Sequence, residues 1–167
     1  MLISVSGLIT IIGGKWTTYR KMAEDIIDNA IMIGELPERK CITHHLLIHG
    51  YTINTEAGSN PMTVYGLDQT KVQSIEGESE NFIGYLSESL QIKKTRVIWA
   101  VREKMGRTLE DVLARRTRAL FLDARESLGI APETAKLMAK ELGYSEDWIK
   151  NQLAQYSELA KGYFINS

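Results

Sequence analysis

A chain of 167 residues has room for one sizeable hydrophobic core, or a core with a small appendage. With 44% hydrophobic and 25% charged residues, it has an ordinary globular composition, and a net charge of −1 argues against a nucleic-acid binder, which is usually basic. No apolar run reaches the roughly 18 residues of a membrane span, and the single cysteine, Cys41, cannot close an internal disulfide, which fits a reducing, cytoplasmic compartment.

The chain opens on "MLISVSGLITII", which lacks the basic start and small-residue cleavage site of a secretion signal. Its β-branched and apolar residues (Ile3, Val5, Ile9, Thr10, Ile11, Ile12) predict one buried strand. Such a strand, without a sheet of its own, is expected to pair with a loop, a second copy or a neighbour. A helix follows, with Tyr19, Ala23, Ile26, Ile27 and Ala30 on one face, Thr17 or Thr18 at its start, and Gly34 with Pro37 at its end. "CITHHLLIH", residues 41–49, reads as a short strand, and "GYTINTEAGSNPMTVYGLDQ" as a long loop. From Asp68 onward the pattern is helical. Short helices are expected near 68–75 and 79–89, then one near 94–105 with Val97, Ile98, Val101 and Met105 inward. Thr108 caps a longer helix that stops at Gly129. Pro132 sits in the first turn of the next, which ends at Gly143, and Ser145 caps a last helix ending at Lys161 and Gly162. The fold class is therefore mainly α, a C-terminal helical bundle preceded by a strand–helix piece and a short β segment.

Between the first strand and helix stands "IIGGKWTTYR", residues 11–20. Two adjacent glycines let the backbone bend and approach a ligand with no Cβ in the way. The helix beyond presents unpaired N–H groups and a partial positive charge, and Lys15 adds a full one, so the bend favours an anion or an electron-rich ring edge. It is not a phosphate loop, because no glycine precedes the lysine at the required spacing, and no two glycines lie two residues apart as in a dinucleotide fingerprint. Taken alone, Gly-Gly-Lys is a weak signal that also fits a plain turn with a solvated lysine.

The longer string "GLITIIGGKWTTYRKMAEDII" resembles the C-terminal end of the flavin domain in FAD-dependent glycerol-3-phosphate dehydrogenases. "CITHHLLIHGY", "VIWAVREKMGRTLEDVLARRTRALFLDAR" and "AKLMAKELGYSEDWIKNQL" resemble that family's C-terminal helical domain, in the same order. The resemblance implies that residues 1–36 are the terminal strand and helix of the FAD-binding domain, 37–67 a connecting segment, and 68–167 the C-terminal α-helical domain. It also implies that the family's glycine-rich FAD fingerprint lies well upstream, so the chain is expected to be a C-terminal fragment. That fragment should bind FAD weakly or not at all and be inactive by itself. By the same resemblance, the intact enzyme is expected to pass a hydride from sn-glycerol 3-phosphate to the flavin, giving dihydroxyacetone phosphate, and then electrons to quinone, or to oxygen in the oxidase branch. The resemblance makes Gly13, Gly14, Lys15, Trp16, Thr17 and Thr18 cofactor-binding, with Lys15 catalytic through its positive charge. A peripheral place on the inner face of the cell membrane and self-association through the first strand stay open. The rival reading is a free-standing helical interaction module whose glycine turn is incidental.

Other candidates carry less. His45 and His49 are four apart with His44 beside them, but a strand-like pattern without nearby carboxylates does not suggest zinc, and no metal site is expected. Arg115, Arg116 and Arg118 form a basic cluster. Arg116 falls in the apolar stripe Leu109–Leu113–Leu120–Ala124–Leu128 and should therefore hold an acidic side chain. Trp148, Tyr156 and Tyr163 read as packing residues.

Overall fold

In the computed structural model, which describes residues 1–53 and 60–164, the first twelve residues form a hairpin and not the single strand expected. Strands β1 (Leu2–Ile3) and β2 (Ile9–Thr10) pair antiparallel, with Leu2 opposite Thr10 and Ile3 opposite Ile9. The turn is built by Ser4 and Gly7. The Ser4 hydroxyl accepts the Leu8 N–H at 3.0 Å, and Gly7 donates to the Ser4 carbonyl at 3.0 Å with a left-handed φ of 84°. The strand thus finds its partner within its own first ten residues.

A 3-10 turn, Trp16–Thr18, leads into helix α1, Tyr19–Ile33. Neither threonine caps it with its side chain, since the Thr18 hydroxyl donates to the Lys15 carbonyl. The helix ends as expected, with Gly34 N–H on the Ala30 carbonyl at 2.9 Å. Residues 41–49 form turns, and no strand. Hairpin, helix and turns make one compact unit, Met1–His49, in which no residue is buried.

The second unit, Gly50–Ser167, holds the core. Of the expected long loop, residues 54–59 lie outside the described residues, and Pro61–Asp68 form 3-10 turns started by the Asn60 side chain. Helix α2 spans Gln69–Ser74. The helix expected at 79–89 is only a turn at Glu80–Phe82. Beyond it, β3 (Tyr85–Ser87) pairs antiparallel with β4 (Ile92–Lys93). Helix α3, Lys94–Glu103, buries Val97, Ile98 and Val101 as expected. It stops two residues early, so Met105 points outward, 75% exposed.

The long helix read over 109–128 is broken twice. Asp111–Arg116 form a π-helical segment in which the Thr117 N–H reaches back five residues to the Val112 carbonyl at 2.8 Å. Arg118 then takes a left-handed φ of 62°, a four-residue α4 (Ala119–Leu122) follows, and Asp123 caps α5 (Ala124–Leu142). Helix α5 runs through Gly129 and Pro132 without stopping. Proline inside a helix costs about 3 kcal/mol or more. Burial of Ile130, Ala131, Thr134, Ala135 and Met138 opposes that cost and keeps the helix continuous. Gly143 ends it in a left-handed turn, and α6 (Glu146–Lys161) begins at Ser145, whose hydroxyl accepts the Trp148 N–H. Helices α5 and α6 form an antiparallel pair with α3 against α5, around Val97, Ile98, Leu109, Leu113, Leu120 and Met138.

Candidate cofactor-facing site

Gly13 and Gly14 have φ values of 85° and 102°, a region that only glycine enters at low cost. The two differ in their surroundings. A Cβ on Gly14 would run into the Met22 sulfur, the far end of a flexible side chain that would have to move aside, so it is the left-handed φ that calls for glycine here. A Cβ on Gly13 would meet nothing within 4 Å, which leaves that stretch of main chain open on its outer side.

Lys15 follows in extended conformation, φ −86° and ψ 150°, and starts the 3-10 turn. Its carbonyl accepts both the N–H (2.9 Å) and the hydroxyl (2.8 Å) of Thr18. The Thr18 N–H is thereby committed inside the turn, and Trp16 and Thr17 contribute the first N–H groups beyond Lys15. The Thr18 hydroxyl also lies 3.6 Å from the Met22 sulfur, and the Trp16 ring stacks on Tyr19 at 5.4 Å. All residues from 13 to 18 are exposed, including the Lys15 ammonium and the Trp16 ring. Residues 13–18, the six singled out in the sequence, form one exposed edge ahead of α1.

One turn further along α1, Arg20 gathers a cluster that no sequence motif marks. Its Nη1 donates to Glu24 Oε2 at 2.8 Å and to Thr43 Oγ1 at 3.2 Å, and lies 3.9 Å from Cys41 Sγ. The cysteine and threonine side chains also meet, at 3.1 Å. The hydrogen bond from Arg20 holds the Glu24 carboxyl below the usual carboxylate range. Partial burial opposes this, and the charges of Lys21 and Arg20 reinforce it. The string "TTYR" contains the arginine, but nothing in the spacing ties it to residues 41–43, more than twenty positions away.

In the helical unit, the basic cluster is dispersed. Arg115 pairs with Glu110 (2.6 Å) and Asp111 (3.0 Å). Arg116 is exposed and, among the described residues, holds no acid. Its Nε and Nη2 donate to the Lys104 carbonyl at 3.0 and 2.8 Å. The wider π-helical turn that ends at Arg116 offsets the stripe by one residue, so that Thr117, 4% exposed, takes the buried place and Arg116 faces outward. Tyr156 is 2% exposed, with its hydroxyl 2.6 Å from Ser127 Oγ, as a packing residue should be. Trp148 is half-buried, whereas Tyr163 is exposed and meets the edge of Phe121. Among the described residues, no cluster of His, Cys, Asp and Glu could hold a metal ion.

Comparison with known proteins agrees with the resemblance drawn from the sequence. Residues 5–149 match the family described as the C-terminal domain of alpha-glycerophosphate oxidase. The chain is 32% identical over 163 residues to the mitochondrial glycerol-3-phosphate dehydrogenase of Mesocricetus auratus, covering 86% of this chain and 22% of that protein. It is 31% identical over 171 residues to a probable mitochondrial glycerol-3-phosphate dehydrogenase of Caenorhabditis elegans, covering 90% and 24%. The mitochondrial enzyme of Saccharomyces cerevisiae is 29% identical over 184 residues, covering 87% and 28%. The chain thus spans about a quarter of the length of these curated relatives. No solved structure matches it. The chain belongs to the family of the C-terminal domain of alpha-glycerophosphate oxidase.

Proposed function

We propose that this chain serves as the C-terminal domain of an FAD-dependent glycerol-3-phosphate dehydrogenase, which oxidises sn-glycerol 3-phosphate to dihydroxyacetone phosphate and passes the electrons to a quinone. The observation that carries this reading is the bend at Gly13–Lys15: two left-handed glycines, an open main-chain edge and an exposed ammonium at a helix start, in a chain of this family. The bend suits the edge of a planar ring on two counts. Gly13 leaves the close approach free of any side chain, and the N–H groups of Trp16 and Thr17 with the Lys15 ammonium are all of the sign that favours developing negative charge.

FAD, when bound, supplies the hydride acceptor. The chain's own part is placement of charge. Lys15 stabilises negative charge as it builds up on the ring edge or on the substrate oxygen, and the carbonyl bonds from Thr18 hold the backbone that presents it. Because residues 13–18 form one open edge, the remaining walls of the pocket must come from a flavin-binding portion. By itself the chain binds FAD weakly and is inactive.

A second reading, with oxygen as acceptor, is favoured by the oxidase in the family's description, whereas the curated relatives are dehydrogenases. Both readings give Lys15 the same role and differ in whether oxygen is consumed. No helix among the described residues is long and apolar enough to cross a membrane. The test is steady-state turnover of glycerol 3-phosphate with a dye acceptor, in the FAD-loaded enzyme in which this chain supplies the C-terminal domain. Replacing Lys15→Met should lower kcat about 100-fold, the typical effect of losing one preorganised charge-stabilising donor. Unchanged turnover would overturn the reading.

A further inference from the structure

We propose that Arg20 is the positioning residue of the Gly13–Lys15 bend: its guanidinium fastens the first turn of α1 to the segment at residues 41–43 and so fixes where the Lys15 ammonium is held. The inference rests on the function proposed above. The unit Met1–His49 has no buried residue, so apolar packing within it does little to fix the bend. Polar contacts fix it instead, in two links. The bend is tied to α1, because the Lys15 carbonyl takes both the N–H and the hydroxyl of Thr18, and that hydroxyl also reaches the Met22 sulfur at 3.6 Å. The start of α1 is tied in turn to the returning chain, because Arg20 Nη1 contacts Glu24 Oε2 at 2.8 Å, Thr43 Oγ1 at 3.2 Å and Cys41 Sγ at 3.9 Å. Glu24 completes the link. Its carboxylate faces Arg20, Lys21 and, at 3.6 Å, His44 Nε2, so it stays ionised and holds the guanidinium in place. Removing Arg20 leaves Lys15 present but free to wander.

That arrangement separates Arg20 from a residue that merely binds substrate. An interaction realised only in the transition state affects kcat, whereas uniform binding affects KM. In the FAD-loaded enzyme carrying this domain, Arg20→Gln should lower kcat about 10- to 100-fold, the range for a misplacement near 1 Å, with KM for glycerol 3-phosphate within about threefold. Arg20→Lys, which keeps a cation able to donate to Glu24 and Thr43, should restore kcat to within about threefold of the parent. Thr43→Ala, which removes one contact and no charge, should fall between them. Amide hydrogen exchange at Thr18 and Tyr19 should be faster in Arg20→Gln than in the parent or Arg20→Lys. Parental kcat in Arg20→Gln, a loss seen in KM alone, or an Arg20→Lys variant as impaired as Arg20→Gln would overturn the proposal. If Lys15→Met is impaired and Arg20→Gln is not, only this inference falls. If Lys15→Met turns over at the parental rate, the function proposed above falls with it.

Discussion

Asp111, half-buried at the start of the π-helical segment, holds the entry to that segment in place. Its Oδ2 accepts the N–H groups of Arg107 (3.1 Å) and Thr108 (3.0 Å), while its own N–H donates to the Thr108 hydroxyl (3.1 Å). This reciprocal arrangement satisfies donors at the helix start that would otherwise have no acceptor. Burial alone would push the Asp111 carboxyl up. The bonds from Arg107 and Thr108 and the charge of Arg115 outweigh it and hold the group below the usual range. A carboxyl lowered by folding contributes stability above its unfolded pKa, near 3.9, and loses it as pH falls through the lower folded value. Asp111→Asn should therefore cost about 1–2 kcal/mol at neutral pH. The gap from the parent should narrow in acid, below about pH 4. Urea titrations across that range would show it, and a gap independent of pH would refute the assignment. At this scale the sequence was legible where a residue acts locally, as with Thr108 at a helix start or Gly13 and Gly14 at a bend. It was not legible where the partner is distant: Leu109 donates its N–H to Gln152, 43 positions later, and Arg20 reaches Thr43.

The element that departs most from expectation is the helix read over 109–128. Its apolar stripe is real, since Leu109, Leu113 and Leu120 are all buried, and a stripe of that period implies one continuous helix. The breaks fall at residues with no breaker chemistry, because Arg118 is left-handed without being glycine. Asp123 did carry a signal. Asp123 with Glu126 three positions on is the spacing of a capping box, and the Asp123 carboxylate accepts the N–H groups of Arg125 and Glu126 at 3.0 and 2.9 Å. Gly129 and Pro132 gave the opposite error, since burial carries α5 through both. Asp123→Ala should destabilise the protein by about 1 kcal/mol, and Asp123→Ser by much less, in equilibrium denaturation. Equal stabilities of the alanine variant and the parent would mean that α5 starts without help from its cap. The hairpin β3–β4 was misread as helix because Tyr85–Ser87 is too short a run to show a period.

At the scale of the whole molecule, burial divides the chain in two. Every buried residue among those described belongs to the unit Gly50–Ser167, and that unit's mainly helical character was readable from periodicity. The unit Met1–His49 leaves Leu2, Val5, Ile12, Trp16 and Ile27 exposed. The sequence placed the junction of the pieces at residue 36 and a connecting segment over 37–67. The two compact units of the structure are Met1–His49 and Gly50–Ser167, and within the first Arg20 contacts residues 41 and 43. The charge of Lys15 is proposed to serve a flavin, and anaerobic reduction of bound FAD by glycerol 3-phosphate isolates that step from any acceptor. Followed as bleaching of the visible flavin absorbance in the enzyme carrying this domain, reduction should be fast in the parent and about 100-fold slower with Lys15→Met. No bleaching in the parent, or equal rates in both, would contradict it.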